Sequence, residues 1–564
     1  MNYMERYRAW CDAELPEEVK RELALIENND EELKSRFSGD LQFGTAGMRG
    51  IMGAGSNRLN RYTVRRAAQG MALWLSGTDL PKMAAIGYDS RHNSQLFAEV
   101  CAVAFAEQGI AVYLYDRLAP TPMLSYAVRQ LGCGCGIVIS ASHNAGEYNG
   151  VKCYGPDGCQ MTDEPAAIVT ANIADIPYFV PEKKPFSAYL EEGSIQYIGQ
   201  EMWEAYYKTV LAEAVCPQVI READLRVVYT PLCGTGNEPV RRILGDLGAN
   251  VTVVACQEKP DGDFKTCEYP NPETDAALNE SYKVADKVPC DLILGTDPDA
   301  DRVAIAVPCA GGYKKLSGNE LGCLLLDYIL RARKALGDLP EGAEAVRSIV
   351  STPLADRIAE HYGVAMKNVL TGFKYIGGEI LELEQAGQEN RFIFGFEESC
   401  GYLKGTYARD KDAVVASMLV CEMAASLKLE GKDILSALDE LYAQYGFYLS
   451  HVQSVELTGA DAMQKAAAIM QRLRNDVPKT IGGAVVTEVR DYLARTATIL
   501  ATGETKQILL PKSNVLELIL GLDGSVIARP SGTEPKVKFY YTAVGKDQAE
   551  AKKLLDKIVA QMSL

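Results

Sequence analysis

One layout recurs four times along this chain: a short apolar run followed directly by a polar loop that contains glycine. The four segments are GIVISASHNAGEYNG, DLILGTDPDADR, RFIFGFEESCGY and SVIARPSGTEP. In α/β proteins such loops follow the carboxyl ends of strands, where ligands bind. Because the four segments lie far apart in the sequence, we predict several α/β domains that face one cleft.

Strand and helix patterns between these loops support that fold class. The segment 225–231 (LRVVYTP) predicts a strand, 238–248 (EPVRRILGDLG) a helix and 250–256 (NVTVVAC) the next strand. A similar unit runs from MAAIGYDSR through LFAEVCAVAFAEQG to IAVYLYD. The chain has 564 residues, whereas single hydrophobic cores stop growing near ~250 to 300 residues. We therefore expect three to five domains.

Charge and hydropathy limit the partners. The formal net charge of -17 disfavours nucleic acid and anionic lipid surfaces as partners. A phosphorylated small molecule would need its own arginines, lysines or metal. The longest apolar runs, such as AVVASMLVCEMAASL, fall short of the ~20 residues that span a bilayer and predict a buried helix. Fifteen scattered cysteines and a start without an apolar signal segment predict a reduced, cytoplasmic protein without a membrane partner.

The loop GTDPDADR places three carboxylates at alternate positions, at Asp297, Asp299 and Asp301. Unpaired carboxylates would repel one another, and a hard divalent cation with oxygen ligands removes that conflict. An EF-hand calcium loop is excluded, because its sixth position would be Arg302 and its twelfth Pro308. We predict a magnesium site in preference to a solvated acidic turn.

The loop SASHNAGEYNG presents Ser142 as the candidate nucleophile, with His143 and Lys152 close in the sequence. A serine hydroxyl becomes an effective nucleophile or phosphoryl carrier only when a metal or a base lies next to it. Taken alone, this segment is more often a polar turn than a site. Its combination with the three-carboxylate loop favours the functional interpretation.

Three further polar or charged segments could bind a ligand or lie on the surface. RPSGTEPK combines Arg529, Lys536, two hydroxyls and Gly532, which together can bind a phosphate, although it is not a Walker loop. GFEESCG offers Glu397 and Ser399 to vicinal sugar hydroxyls, with an exposed acidic turn as the alternative. The basic stretch NRLNRYTVRR has helical spacing and predicts a mostly solvated helix face.

These loops, in this order, resemble those of the α-D-phosphohexomutase family, which includes phosphoglucomutases, phosphomannomutases and phosphopentomutases. SASHNAGEYNG resembles the family's phosphoserine loop, GTDPDADR its metal loop, GFEESCG its sugar-binding loop and RPSGTEPK its phosphate-binding loop. Further matching segments are FGTAGMRG, GYDSR, PDGDF, PNPE, TGFK and RDKDA, so the resemblance runs from about residue 43 to 541. FGTAGMRG and the long chain are most similar to the branch that contains phosphoglucomutase-2 and phosphopentomutase.

The resemblance implies an α/β fold of four domains around a central cleft. Three related mixed α/β domains would precede a smaller C-terminal α+β domain. The expected bounds are 1–200 with the phosphoserine loop, 201–308 with the metal loop, 309–445 with the sugar-binding loop and 446–564 for the C-terminal domain.

The resemblance also implies the residue roles. Ser142 would carry the phosphoryl group and, with Asp297, Asp299 and Asp301, would bind Mg²⁺. The reaction centre would be lined by Arg49, His143, Lys152 and Arg302. The sugar would meet Thr371, Gly372, Glu397, Ser399 and Lys411. Its non-reacting phosphate would be held by Arg529, Ser531, Gly532, Thr533 and Lys536.

The implied activity is that of a phosphoglucomutase, an isomerase that acts through phosphoserine and glucose 1,6-bisphosphate. Phosphomannomutase, phosphopentomutase and sugar-bisphosphate synthase activities stay open, as does a sugar-phosphate sensor without turnover. The partner would be a small sugar phosphate, and the chain a monomer or a homodimer. Tyr402 stands where many phosphomannomutases have a histidine, so the general base is left open among Lys152, His143 and Lys411.

Overall fold

The computed structural model describes residues 2–44, 46–458, 462–531 and 536–562. These residues form two compact units. The first unit contains the chain up to 317, together with 377–394 and 399–430; the second contains 318–376, 395–398 and the chain from 431 onward. None of the helices in the described ranges is long and apolar enough to cross a membrane.

The first unit begins with three short helices: α1 (Tyr3–Cys11), α2 (Glu17–Ile26) and α3 (Asp30–Phe37). Asn2 caps α1 through its side chain, with Glu5 returning the bond to the cap backbone. The helices bury an aromatic cluster that includes Trp10 and Phe37. Burial of these rings holds three helices together that would be too short to be stable alone.

A six-stranded mixed sheet follows, in the order β1-β5-β4-β2-β3-β6. Its elements are β1 (Gly47–Ile51), α4 (Arg61–Ser76), β2 (Met83–Tyr88), α5 (Ser94–Ala106), β3 (Ala111–Tyr115), α6 (Thr121–Gln130), β4 (Cys135–Ile139), β5 (Tyr148–Tyr154), α7 (Asp163–Asp175), α8 (Phe186–Glu191) and β6 (Ile195–Ile198). β2 and β4 are parallel neighbours, with Tyr88 paired to Ile139. The loops that follow these two strands therefore begin at the same edge of the sheet.

A five-stranded sheet, also in the first unit, has the order β11-β10-β9-β7-β8. Its elements are α9 (Gln200–Ala212), α10 (Gln218–Glu222), β7 (Arg226–Thr230), α11 (Asn237–Asp246), β8 (Asn250–Val253), α12 (Ala255–Glu258), α13 (Asp275–Ala285), β9 (Leu292–Thr296), β10 (Val303–Cys309) and β11 (Gly312–Lys315). β9 and β10 are antiparallel, with Thr296 paired to Val303. The loop 297–302 is the short connection of this hairpin.

Later parts of the chain add α14 (Gly318–Leu336), β12 (Glu344–Ser348), α15 (Leu354–Tyr362), β13 (Ala365–Val369), α16 (Phe373–Gln385), β14 (Phe392–Glu397), β15 (Gly401–Leu403), α17 (Ala413–Leu429) and α18 (Ile434–Tyr445). β12 and β13 form a parallel pair in the second unit. α17, which contains the long apolar run, is buried over almost all of its length in the first unit, as its composition predicted.

The C-terminal part of the second unit is built on a seven-stranded antiparallel sheet in the order β16-β24-β23-β22-β19-β20-β21. Its elements are β16 (Phe447–Glu456), α19 (Ala462–Asn475), β17 (Thr480–Ile481), β18 (Ala484–Val485), β19 (Glu488–Asp491), β20 (Thr496–Ile499), β21 (Thr505–Gln507), β22 (Leu516–Ile519), β23 (Gly524–Pro530), β24 (Lys536–Gly545) and α20 (Gln548–Met562). Mixed sheets followed by an antiparallel α+β part confirm the predicted fold class.

The predicted strands at 225–231 and 250–256 and the helix between them are present, as β7, β8 and α11. The prediction of a solvated basic helix in NRLNRYTVRR is wrong. Arg65 and Arg66 on α4 are 4% and 6% exposed. Arg65 forms an ion pair with Glu107, and Arg66 donates to backbone carbonyls at the end of α7 and of the residue after it. Helical spacing does not reveal which face later parts of the chain will cover.

Candidate active site

Ser142 lies beyond the end of β4, in the loop that leads to β5. It is 3% exposed, and its backbone is left-handed with φ 53°. Its amide donates to Oγ of Ser140 at 2.8 Å. Its hydroxyl donates to Oδ2 of Asp297 at 2.7 Å and lies 3.1 Å from Nδ1 of His143. The structure thus brings the candidate nucleophile into contact with the three-carboxylate loop.

The three carboxylates of that loop converge in a buried position. Asp297 and Asp299 are fully buried, Asp301 is 2% exposed, and one oxygen from each lies within 4.8 Å of the others. Oδ1 of Asp297 accepts the backbone N–H groups of Asp301 and Arg302. The buried Oδ1 atoms of Asp299 and Asp301 have no hydrogen-bond donor within the described ranges. Buried anionic oxygens with open acceptor positions fit a hard divalent cation.

Two lysines approach the same carboxylates. Nζ of Lys152, on β5, lies 2.5 Å from Oδ2 of Asp299 and 3.1 Å from Oδ2 of Asp301. Nζ of Lys411 lies 3.1 Å from the same oxygen of Asp301 and 2.9 Å from Asp410. Burial on its own would lower the pKa of Lys152, but Asp299 and then Asp301 raise it above its ordinary value. Lys152 is therefore a cation at neutral pH.

The surroundings separate the pKa values of the carboxyls. Burial, followed by repulsion from Asp299 and Asp301, raises the pKa of Asp297 well above its ordinary value. Burial would raise the pKa of Asp301 too, but Lys152 and Lys411 lower it below its ordinary value. Of these two carboxyls, Asp297, which contacts the serine, is the one whose ionised form would be stabilised most by an added positive charge.

His143 is poised to exchange a proton with Ser142. Burial lowers its pKa well below the ordinary value, and the charges of Arg302 and Arg49 lower it further. The imidazole is therefore neutral at pH 7, and the ring nitrogen 3.1 Å from the hydroxyl can accept its proton.

Two arginines of the predicted set lie at the same loops. Arg49, on β1, donates from Nη1 to Oδ1 of Asn144 at 2.8 Å. Arg302 forms an ion pair of 2.7 Å with Glu273, in the PNPE segment. Both arginines supply positive charge near a cluster of carboxylates, as an anionic substrate on an acidic protein requires.

The first unit contains one more residue of the predicted sugar-binding set, Ser399, in the turn between β14 and β15. The others lie in the second unit. The amide of Gly372, which has φ 121°, donates to Oε1 of Glu397 at 2.7 Å. The buried hydroxyl of Thr371 has no hydrogen-bond partner among the residues that the structure describes.

The predicted phosphate-binding residues also belong to the second unit. Arg529 lies near the end of β23, and Lys536 begins the neighbouring β24. The amide of Ser531 donates to the carbonyl of Lys536 at 2.9 Å. Gly532 and Thr533 lie outside the described residues.

Comparison with known proteins decides the family. Models of the phosphoglucomutase/phosphomannomutase family match four successive segments: α/β/α domain I at 40–178, domain II at 204–311, domain III at 317–445 and the C-terminal domain at 478–561. The chain belongs to this family. The assignment confirms the predicted resemblance and makes the chain an enzyme of the mutase class.

Individual relatives agree with the assignment. A phosphoglucomutase of Staphylococcus epidermidis is 37% identical over 512 residues, which cover 90% of this chain and 92% of the relative. Among solved structures, parafusin, a phosphoglucomutase of Paramecium, has a TM-score of 0.69 at 16% identity, covering 93% of this chain and 94% of that one. A family protein of Burkholderia thailandensis has a TM-score of 0.65 at 17% identity, covering 92% and 96%. At these identities the two structures support the fold alone.

The sequence-based reasoning missed several residues at the site. Thr121 donates from Oγ1 to Oδ2 of Asp299 at 2.9 Å, and Glu273 binds Arg302. Arg91 contacts the backbone of the serine loop. Arg91 and Glu273 lie in GYDSR and PNPE, segments that match the family but offered no pattern from which a role could be inferred.

Tyr402 marks the departure from the histidine pattern. It is buried, and its ring stacks on Phe394 with centroids 6.3 Å apart. The residue thus packs as part of the core of the first unit.

Proposed function

We propose that this member of the family interconverts glucose 1-phosphate and glucose 6-phosphate, with Ser142 as the phosphoryl carrier and glucose 1,6-bisphosphate as the intermediate. The observation that carries the proposal is the 2.7 Å contact between the hydroxyl of Ser142 and Asp297, within a buried group of three carboxylates.

The carboxylate group and Ser142 fit Mg²⁺. Asp297, Asp299 and Asp301 would hold the ion together with an oxygen of the serine-bound phosphate, because Mg²⁺ prefers a few carboxylates plus phosphate oxygens. When bound, the ion would neutralise charge on the transferring phosphoryl group. The open Oδ1 atoms of Asp299 and Asp301 supply acceptors for it.

The reaction proceeds in two balanced transfers. In the first, a free hydroxyl oxygen of the sugar monophosphate attacks the phosphorus on Ser142, and the bond from phosphorus to the serine oxygen breaks. A base at the site takes the proton of that hydroxyl, and the serine oxygen gains a proton as it leaves, so Ser142 becomes a hydroxyl again. In the second, the freed serine oxygen attacks the other phosphate of the bisphosphate, His143 accepts the serine proton, and the sugar oxygen leaves with a proton. The phosphate has then changed position on the sugar.

The remaining predicted residues would hold the substrate. Lys152, Lys411 and Arg302 would offset the charge of two phosphate groups at the reaction centre. Thr371, Gly372, Glu397 and Ser399 would bind the sugar hydroxyls. The non-reacting phosphate would be held by Arg529, Ser531, Gly532, Thr533 and Lys536.

A coupled assay with Mg²⁺ and trace glucose 1,6-bisphosphate tests the substrate. Glucose 1-phosphate, mannose 1-phosphate and ribose 1-phosphate are compared at equal concentration. We expect glucose 1-phosphate to be preferred by at least about tenfold in kcat/KM, which corresponds to ~1.4 kcal/mol. Preference for ribose 1-phosphate would make the chain a phosphopentomutase, and net bisphosphate production would make it a synthase.

The variant Ser142→Ala tests the carrier. We expect loss of measurable mutase activity with the fold retained by circular dichroism. If the chain releases inorganic phosphate from the substrate, and this activity is retained by Ser142→Ala and lost by Asp297→Asn, the result would instead indicate hydrolysis with an aspartyl nucleophile. Binding of glucose 1-phosphate without turnover would favour a sensor.

A further inference from the structure

A buried arginine, Arg91, binds the backbone of the loop that carries Ser142. Its Nη2 donates to the carbonyl oxygen of Ser142 at 2.6 Å and to that of Asn144. Its Nη1 donates to the carbonyl oxygens of Ala145 at 2.8 Å and Tyr148 at 2.9 Å. A single guanidinium therefore binds four carbonyls, three in the loop after β4 and one in the first residue of β5.

Arg91 lies in the loop that follows β2, and other residues fix the position of its side chain. Its Nε lies 3.4 Å from Oδ2 of Asp89, and both side chains are fully buried. Oδ1 of Asp89 accepts the amide of Arg91 at 3.0 Å and the hydroxyl of Ser94 at 2.7 Å. The ring of Phe264 lies 4.9 Å from the guanidinium carbon. Little freedom is left to the guanidinium in this environment.

An ion pair in this position adds little to stability. Removing two charges from water carries a large desolvation penalty, and apolar residues of similar volume often stabilise a protein as well or better. An apolar side chain, however, could not satisfy the four carbonyls of this loop. The buried Asp89–Arg91 pair is therefore better explained by the conformation that it fixes in the serine loop than by a gain in stability.

That geometry centres on an unfavourable backbone conformation. Ser142 has φ 53°, a left-handed conformation that is unfavourable for a residue with a β-carbon. In this conformation its hydroxyl reaches Oδ2 of Asp297 at 2.7 Å. Displacement of a reacting group by about 1 Å can reduce a rate by ~10²-fold.

We propose that Arg91 is a positioning residue for phosphoryl transfer, which holds Ser142 in its left-handed conformation with the hydroxyl against Asp297. The inference rests on the proposed function, because this placement matters only if Ser142 carries the phosphoryl group. Arg91 touches the carbonyl of Ser142 and not the hydroxyl, so it acts through the backbone.

The substitution Arg91→Lys separates charge from geometry. Lysine keeps the positive charge, but one ammonium with three donors cannot reproduce a planar guanidinium with five donors directed at several carbonyls. The charge near the carboxylates is thereby preserved while the four-carbonyl arrangement is lost.

Arg66 provides the matched control. Its side chain is also buried, at 7% exposure, and it donates to backbone carbonyls, at 2.8 Å to Ile176 and 2.9 Å to Ile173. It lies on α4; these two bonds go to the end of α7 and the residue after it, and a third, of 3.4 Å, goes to Asp40. The substitution Arg66→Lys therefore makes the same change of side chain at a site unrelated to Ser142.

The test measures kcat and KM for glucose 1-phosphate together with the melting temperature of each protein. For Arg91→Lys we expect kcat to fall about 10²-fold with KM within about threefold. For Arg66→Lys we expect kcat within about twofold, although its melting temperature also falls. Equal kcat values for the two variants would overturn the inference.

Chemical rescue covers the case in which Arg91→Lys folds poorly. Millimolar guanidinium ion should restore part of kcat in Arg91→Ala and none in Arg66→Ala, with both proteins assayed below their melting temperatures. A folded Arg91→Ala protein that is fully active without guanidinium, or that stays inactive with it, contradicts the inference. Absence of turnover by the unsubstituted chain and by Arg66→Lys alike would refute the proposed function and the inference with it.

Discussion

The N-terminal helices and the surroundings of Ser142 are both buried parts of the first unit, but their interiors differ. Around Trp10, which is 2% exposed, four aromatic rings lie at centroid distances of 5.2–6.0 Å. Such packing buries a large apolar area, and aromatic pairs add about 0.5–1.5 kcal/mol each beyond that area. This interior is explained by stability alone.

Around Ser142 the buried side chains are mainly charged. The carboxylates of Asp297 and Asp299 and the ion pair of Asp89 with Arg91 have essentially no exposure. Each of these charges lost its hydration on folding, which destabilises the protein unless partners restore the interaction. The aromatic region therefore serves the fold, whereas the charged region serves what binds there. Five predictions test this division.

The largest effect is expected for Asp297→Asn. The amide can still accept the N–H groups of Asp301 and Arg302, but the negative charge at the serine is lost. We expect kcat/KM to fall about 10⁴-fold, or ~5.5 kcal/mol of barrier, in the coupled assay. Asp246→Asn, at a half-exposed surface ion pair on α11, is the control and should be fully active.

The same variant should resist a rise in pH better than the unsubstituted protein when no metal is added. Because the folded pKa of Asp297 is raised, its contribution to stability is complete below the unfolded value near 3.9 and is lost as the pH rises through the folded value. Asparagine does not ionise. Thermal unfolding in EDTA between pH 5 and pH 8 measures this, and a steeper decline in Asp297→Asn would contradict the assignment of buried repulsion.

Trp10→Ala should act on stability and leave catalysis intact. Loss of a buried tryptophan should lower the free energy of unfolding by about 3–5 kcal/mol. The kcat of the folded protein, measured well below its melting temperature, should change less than about twofold. A tenfold loss of kcat would show that the aromatic region also serves the active site.

Magnesium should stabilise the folded protein by binding in the charged region. At a concentration a hundredfold above its dissociation constant, a ligand that binds the folded state adds about 2.7 kcal/mol. Calorimetry with Mg²⁺ and with EDTA should show this increment in the unsubstituted chain and in Trp10→Ala. An increase in stability of the same size on adding Mg²⁺ to Asp297→Asn would argue against the three-carboxylate site.

The smallest effect is expected for Asp291, which lies outside both regions, just before β9. Its carboxylate forms ion pairs with Arg226 and Lys428. Despite partial burial, these two cations lower the pKa of Asp291 to about 2. Its contribution, about 1–2 kcal/mol after allowance for solvent screening, is therefore present above the unfolded pKa near 3.9 and is lost as the pH falls toward 2. Asp291→Asn should lower the melting temperature at pH 7 and have a clearly smaller effect near pH 2.5, because most of the contribution is lost by then.

Features that depend on residues close together in the sequence could be predicted, because residue types at fixed spacing specify local chemistry. Three carboxylates at alternate positions after an apolar run predicted the buried group at Asp297, and the strand pattern predicted β7 and β8. The domain bounds, the cytoplasmic location and the oligomeric state stay predictions.

The contacts that the sequence could not reveal join distant segments. Arg91 acts on backbone carbonyls more than fifty residues away, and carbonyls have no sequence signature. Arg65 and Arg66 were assigned to solvent because the segments that cover them come later in the chain. Side-chain patterns indicate periodicity, whereas burial of a charged face depends on tertiary packing.

The role of Ser142 as phosphoryl carrier is tested most directly by following the phosphate on this residue. The purified chain is incubated with Mg²⁺ and glucose 1,6-bisphosphate, and its intact mass and peptides are measured before and after addition of glucose 1-phosphate. We expect an increase of about 80 Da located at Ser142, its loss when glucose 1-phosphate is added, and no such increase in Ser142→Ala. Turnover of glucose 1-phosphate by a chain that never carries phosphate at Ser142 would contradict the account.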